Sequence, residues 1–393
     1  MRIADVAQFV SPTSGGIRTY LRAKAEWAGR RGVTHSIVVP RGRPGSDRLG
    51  TSRVTYVRGH RALPAWGYRL AVRPAPVLEA LVRAAPDVVV LHDPLAFPAS
   101  VMRWARSRDI PVIAFCHSDL RLGGHAVPGA LRGPAVNALG RLQRRALAAA
   151  DAVVVASEAT AEAIAGDLDR PPLVSPLGVD TEPFAAAGPD PELRRTFADG
   201  TTPLVVHVGR LSADKHVDLL VPTLAGLPGV AMVVAGSGPA TRSLRREARR
   251  HGVADRLTLL GHVADRHELA RLVATADCVL QPNPEEPYGL AALEALAAGT
   301  PVVAPRAGGA GEALDGRGAT LVAPGDAGAL ADGVLRALGG PPPPPPQGLE
   351  WERTFATEWG LYTQLTGGSV PRTVMNLGQL RAPASPIRAV IGA

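Results

Sequence analysis

Only two cysteines, Cys116 and Cys278, occur in 393 residues, and each falls in or at the end of an apolar strand-like run. A disulfide framework is thereby excluded, a cysteine-based metal site is argued against, and a reducing compartment is expected. Aromatic residues make up 4% of the chain. With no zinc spacing, recognition-helix pattern or aromatic RNA-binding signature beside them, nucleic acid is not an expected partner. No apolar run is long enough to span a bilayer, and Met1 leads at once into a strand-like segment. Neither a transmembrane span nor a signal peptide is expected. Acid is also scarce relative to base, 35 Asp and Glu against 43 Lys and Arg, for a net charge of +8. The arginine clusters at 41–48, 141–145 and 242–250 read as solvated helix faces and loops, while the basic amphipathic stretch 140–149 also fits an anionic membrane surface.

What the chain does have is regular alternation. A hydrophobic content of 46% and a length of 393 residues suffice for two domains with separate cores. Continuous apolar runs at 2–9, 35–39, 54–57, 88–92, 112–117 and 152–157 alternate mostly with helix-like segments. That pattern predicts an α/β fold with a doubly wound parallel sheet. A second series follows at 203–208, 230–235, 257–260, 277–281, 301–304 and 319–323. Ligands of such sheets bind beyond the carboxyl ends of the strands. The loop 11–16, His92 with Asp93, and His117 with Ser118 and Asp119 therefore fall along one edge. Gly15 and Gly16 sit where strand becomes helix, which suits either a phosphate or a tight turn.

The stretch 282–305 carries the clearest chemistry. A strand runs into a proline-rich loop holding Glu286, and a helix starting near Gly289 or Leu290 carries Glu294 before Gly299 stops it. The free amides around Gly289, Leu290 and Ala291 form a ready anion site. Carboxylates repel phosphate and accept from hydroxyls, so both acids suit the hydroxyl groups flanking a diphosphate. A nucleotide sugar offers both kinds of group.

Glu286, seven residues, then Glu294, with Pro-Tyr-Gly-Leu between and Ala-Gly-Thr-Pro-Val-Val after, resembles the acid pair of the retaining GT-B glycosyltransferases of family 4, in particular actinobacterial mannosyltransferases. The likeness covers roughly residues 2–365 and is sharpest from 205 to 305. It implies two Rossmann-like domains facing each other across a cleft: 1–182 for the acceptor, 183–348 for the nucleotide sugar, 349–366 as a helix crossing back, and 367–393 as a disordered tail. The proline- and glycine-rich run 183–200 is the expected linker. The prolines 341–346 are an extended spacer.

The resemblance also implies roles. Gly16 would meet the donor phosphate or the acceptor, and His117 the donor sugar and leaving group. His92, Asp93 and Asp119 would line the acceptor cleft, although His92-Asp93 also fits a capped strand-end turn. Their spacing with His125 matches no standard metal site, and metal-independent chemistry without a cofactor is expected. Gly209-Arg210-Leu-Ser-Ala-Asp-Lys215-His216 is similar to the family's Gly-Arg-Leu-x-x-x-Lys-Gly, with Arg210 and Lys215 clamping a diphosphate. His216 replaces the last glycine, which leaves the loop shape open. Gly236, Val263 (near the base), Tyr288, Gly289 and Leu290 complete the expected donor contacts.

In the mechanism so implied, Arg210, Lys215 and the helix amides stabilise the departing diphosphate. Glu286 holds the hexose and Glu294 the ribose, and anomeric configuration is retained. GDP-mannose is the favoured donor, UDP-sugars next, with a lipid-linked, glycan or small-molecule hydroxyl acceptor, in the cytoplasm or at the inner membrane face. The rivals are a GT-B sugar-nucleotide epimerase and a non-catalytic nucleotide-sugar-binding protein.

Overall fold

The computed structural model describes residues 1–10, 15–61, 69–95, 97–117 and 129–367. Asp119, His125, most of the first loop and the tail from 368 lie outside them.

The first sheet contains β1 (Arg2–Ala7), β2 (Thr34–Arg41), β3 (Gly45–Leu49), β4 (Ser52–Arg58), and, after a two-stranded hairpin of β5 (His60–Arg61) and β6 (Arg69–Leu70), β7 (Val88–His92), β8 (Val112–Cys116), β9 (Ala152–Val155) and β10 (Leu173–Val174). Their spatial order is β10-β9-β8-β7-β1-β2-β4-β3, parallel except where β3 pairs with β4. The second sheet holds β11 (Leu204–Val208), β12 (Ala231–Ala235), β13 (Leu257–Gly261), β14 (Cys278–Leu280), β15 (Val302–Pro305) and β16 (Thr320–Val322), ordered β13-β12-β11-β14-β15-β16. Central strands such as β7, β8, β12 and β14 are buried throughout, as parallel strands covered on both faces must be. Both cysteines are buried and neither forms a disulfide.

Strand order locates the crevices. In the first sheet the order reverses beside β1, whose neighbours are β2 and β7. In the second it reverses between β11 and β14. A doubly wound sheet opens for ligands at such points, beyond the carboxyl ends of its strands. The loop after β11 carries Arg210 and Lys215, and the loop after β14 carries Glu286.

Two local expectations are refined. The arginine-rich 41–48 stretch is not simply a solvated loop, because Gly45–Leu49 pairs antiparallel with β4 as an exposed edge strand. The expected linker 183–200 carries two short helices, Glu182–Ala185 and Pro191–Phe197. Asp190 caps the second by accepting from the amides of Glu192 and Leu193, and Pro191 supplies a preset first turn. Arg194 then pins it by a 2.7 Å ion pair to Asp277. Short capped helices of this kind leave too little apolar periodicity to read in advance.

The last helix, Trp351–Leu365, packs on the first, Gly16–Arg30. Phe355 lies against Trp27 at 5.6 Å between ring centroids, and Glu358 accepts from Tyr20 at 2.6 Å. Gly178 has the Trp351 backbone so close that an added Cβ would sit 2.5 Å from it. No helix among the described residues is long and apolar enough to cross a membrane.

Candidate active site

Lys215 and Glu286 meet. The ammonium donates to Glu286 Oε2 at 2.7 Å, and Asn283 Nδ2 donates to the same oxygen at 3.0 Å. Burial is the largest effect on each and works against both charges, but the charge and hydrogen bond of the partner ion, joined by Asp214 at Lys215 and by Asn283 at Glu286, together outweigh it, so the Lys215 ammonium is raised and the Glu286 carboxyl lowered. The pair is ionised at neutral pH. Arg210 donates to Asp214 at 2.7 Å. The four side chains of these two pairs are 25–28% exposed, so they sit in a crevice that a ligand can enter. Among the described residues Glu286 Oε1 takes no hydrogen bond, and it remains able to accept one from a ligand.

His216 settles the loop shape that its identity had left open. Its φ of 49° and ψ of 34° are left-handed, the conformation a glycine would adopt there. The chain keeps the turn and accepts a backbone strain of about 1 kcal/mol.

The helix Leu290–Ala297 begins beside this pair. Gly289 caps it at a φ of 83°, with no side-chain cap and no acid in the first turn, so its leading amides are open to an anion. Across the gap lies the first helix of the other domain. A Cβ on Gly16 would stand 3.7 Å from Leu290 Cδ1, which brings the two glycine-marked turns face to face.

Glu294 has a partner that sequence reasoning missed. Arg266 donates to it at 2.9 Å, contacts Asp180 at 3.3 Å, and lies over the Phe184 ring. Asp180 also accepts from Arg22 of the first helix at 3.2 Å. Burial raises the Glu294 carboxyl, with Arg266 opposing. The acid-bearing helix is thus tied through one arginine to the junction between the domains. No motif signalled Arg266, whose partners lie 28 and 86 positions away by subtraction of their numbers.

On the first-domain side, His117 follows β8 and is half-buried. Asp93, with a left-handed φ of 43°, accepts from the His117 amide at 2.7 Å and so holds the strand end. His92 corrects the expectation of acceptor contact: it is fully buried, bonded to Asp5 at 3.1 Å and His117 at 2.7 Å, and lies behind His117. Tyr288, at 7% exposure, packs in the main core, where burial pushes its hydroxyl up to about 12. Gly236 has a packing reason of its own: a Cβ there would lie 1.8 Å from the Gly209 carbonyl. Val263 is half-buried against the core. His35 is a satisfied structural residue, bonded to Ser52 and Asp5.

His207, on β11, adds a pH dependence. Its Nδ1 faces the Leu280 carbonyl at 2.9 Å, its Nε2 has no protein partner, and burial lowers the imidazole from 6.5 to about 4. The folded state therefore refuses a proton that the unfolded chain takes. Stability is full above about pH 6.5 and falls as pH drops towards about 4, a loss of about 3 kcal/mol. Denaturation of the wild type and His207→Leu across this range checks it: the variant should lose less stability on acidification, and an equal loss would refute the assignment.

The chain matches two family models, Glycosyltransferase Family 4 over residues 14–183 and Glycosyl transferases group 1 over residues 190–346. It is 35% identical over 316 residues to a GDP-mannose-dependent alpha-(1-6)-phosphatidylinositol dimannoside mannosyltransferase of Mycobacterium tuberculosis, covering 78% of this chain and 80% of that one. A GDP-mannose-dependent alpha-mannosyltransferase of Mycolicibacterium smegmatis is 30% identical over 318 residues, covering 79% and 80%. Among solved structures, a sucrose-phosphate synthase from Thermosynechococcus elongatus superposes with a TM-score of 0.71 at 21% identity, covering 93% of this chain and 99% of that one. An Anabaena protein in complex with UDP and glucose gives a TM-score of 0.67 at 21% identity, covering 93% and 95%. With paired strand-order crevices, facing glycine turns and an acid-bearing helix all in place, the chain belongs to the group 1 glycosyltransferases of GT-B fold, and it is a glycosyltransferase enzyme.

Proposed function

We propose that this enzyme moves a hexose, with retention of configuration and without a metal ion, from a nucleoside-diphosphate sugar to a hydroxyl acceptor. The observation that carries the reading is the Lys215–Glu286 pair, held at 2.7 Å beside the uncapped leading end of the helix Leu290–Ala297. Breaking the bond from sugar to diphosphate places new negative charge on a phosphate oxygen. Preset cations and amides at that position lower the barrier most when they need no reorganisation. Lys215, Arg210 and the amides of Leu290 and Ala291 take up that charge in the role a divalent ion plays elsewhere. Glu286 Oε1 accepts from a hexose hydroxyl. Glu294 accepts from the ribose, with Arg266 holding it in place.

GDP-mannose is the favoured donor because both mannosyltransferase relatives are described as GDP-mannose-dependent; a UDP-sugar comes next. An acceptor of lipid character fits the first of those relatives, named for phosphatidylinositol dimannoside. It also fits the basic helix Arg132–Ala148, next to which Leu131 is 69% exposed and on which Leu142 is 46% exposed.

A thermal-shift series with GDP, UDP, ADP and dTDP tests the donor. GDP at about 100 times its Kd should stabilise the fold by about 2.7 kcal/mol, seen as a rise of several degrees. A larger rise with UDP would transfer the reading to UDP-sugars, and no rise with any of the four would sink it. Activity unaffected by a chelator is the matching expectation for metal independence.

A further inference from the structure

Behind His117 lies a buried polar cluster that the reaction described so far does not use. Its members are Asp5 on β1, Tyr20 and Lys24 on the first helix, His35 on β2, His92 on β7, and Glu358 and Tyr362 on the last helix. Asp5 Oδ1 receives Lys24 Nζ at 2.8 Å and His92 Nε2 at 3.1 Å, and Oδ2 receives His35 Nε2 at 2.5 Å. His92 Nδ1 in turn faces His117 Nε2 at 2.7 Å.

Proton counting along this chain gives one answer when the His92 ring carries a single proton. Burial opposes charge on Asp5, but the Lys24 ammonium and the hydrogen bonds from His35 and His92 hold its carboxyl well below the ordinary range, so it is a carboxylate. A carboxylate only accepts. His92 Nε2 must therefore carry a proton, and with one proton on the ring Nδ1 is bare. Bare Nδ1 also only accepts, so the proton of the 2.7 Å contact sits on His117 Nε2. The remaining nitrogen of His117, Nδ1, is then bare as well. Among the described residues nothing bonds to it. The ring is held in this orientation between Phe115, stacked at 4.1 Å and 6°, and the Tyr20 edge at 5.3 Å, which keeps Nε2 turned towards His92.

We propose that Asp5 and His92 are positioning residues that lock His117 in the tautomer with a bare Nδ1, so that His117 accepts a hydrogen bond from a substrate hydroxyl instead of donating one. The inference rests on the reading above that a sugar or hydroxyl acceptor occupies the cleft beside His117. It makes a hydroxyl, not a carbonyl or ether oxygen, the group recognised there. The lock also reaches outward: Lys24, which holds Asp5, donates to Tyr362 of the last helix at 2.9 Å, so the seating of that helix supports the tautomer.

A long-range 1H–15N spectrum of the full chain labelled with 15N-histidine, recorded near neutral pH without substrate, reads the tautomer directly. The His117 signals are assigned by their loss in His117→Gln. Nδ1 should resonate as a bare nitrogen and Nε2 as a protonated one. A protonated Nδ1, alone or with Nε2, overturns the proposal, since a second proton on His92 would reverse the whole chain. His92→Phe keeps a ring in the stack but removes the acceptor, and should give a mixture of His117 tautomers; an unchanged pattern also overturns the proposal. Asp5→Asn should lower turnover of GDP-mannose by about 10–100-fold, a loss usual for a partner that orients a reacting group, while GDP affinity stays unchanged. Equal turnover in folded Asp5→Asn counts against the proposal. Should Asp5→Asn not fold, the wild-type spectrum still decides. If the wild type does not turn over GDP-mannose, the proposed donor fails while the tautomer is still read independently.

Discussion

Lys215→Ala is expected to lower kcat by about 10²–10³-fold, the loss typical of removing one preset group that stabilises transition-state charge. Three features of the site set that size. The ammonium is held by Glu286 at 2.7 Å before any ligand arrives, so little reorganisation is needed. It lies in a crevice about a quarter exposed, where a charge is worth more than in open water. The truncation also leaves the Glu286 carboxylate with Asn283 alone, so a negative group faces the proposed diphosphate position without its cation. The loss should fall mainly on kcat, because the charge in question develops during reaction. A double variant, Lys215→Ala with Glu286→Gln, removes the repulsion but not the missing clamp and should remain slow. Single-turnover rates with saturating donor provide the measurement, and wild-type turnover in Lys215→Ala would remove this residue from the mechanism.

Gly309→Ala is expected to cost about 3 kcal/mol or more, the size of forced overpacking against backbone that cannot yield, and to abolish activity with it. The added Cβ would stand 1.8 Å from the Pro287 carbonyl oxygen and 2.4 Å from Ser157 Oγ. Neither neighbour can move alone. Ser157 donates to that same carbonyl at 3.0 Å, joining the end of β9 to the acid-bearing loop across the domain gap. Pushing Pro287 outward displaces Glu286 one residue before it and Gly289 two residues after. Gly133→Ala is the control, because Gly133 is exposed in the first turn of the helix Arg132–Ala148 and a Cβ there meets nothing within 4 Å. It should leave melting unchanged or raise it slightly. A Gly309→Ala protein that melts with the wild type would show that the loop and the second domain's helices slide freely past one another.

Much of the site was legible in the chain because its signals are local. Gly289 before an apolar eight-residue helix, and Gly299 after it, announce that helix without reference to anything distant. Likewise, Arg210 and Lys215 follow an apolar run that could only be a buried strand. Their meeting with Glu286 needed one further inference, that consecutive β-α units wind into one parallel sheet, and the strand order bears that out. Short or polar elements were harder. The antiparallel edge strand Gly45–Leu49 and the helices at 182–197 have too few apolar residues to show a period. Distance in sequence hid the rest: Arg266 beside Glu294, Asp5 behind His92, and Lys24 under the last helix come from separate strands and helices.

The sequence pointed to the class of chemistry through its motifs and the family they resemble, because acids, cations and glycines at fixed short spacings suit groups that hold sugar hydroxyls and phosphate. It also determined the two-sheet architecture, since buried parallel strands leave continuous apolar runs. Only the tertiary structure decided which charges are paired, which histidine is reachable, and which conformation His216 takes. Those outcomes depend on desolvation and on one hydrogen-bond partner excluding another, and both are properties of groups brought together from distant parts of the chain. The buried His92 makes the difference plain: its strand-end position suggested a ligand contact, and the proximity of Asp5 and His117 made it an internal link instead.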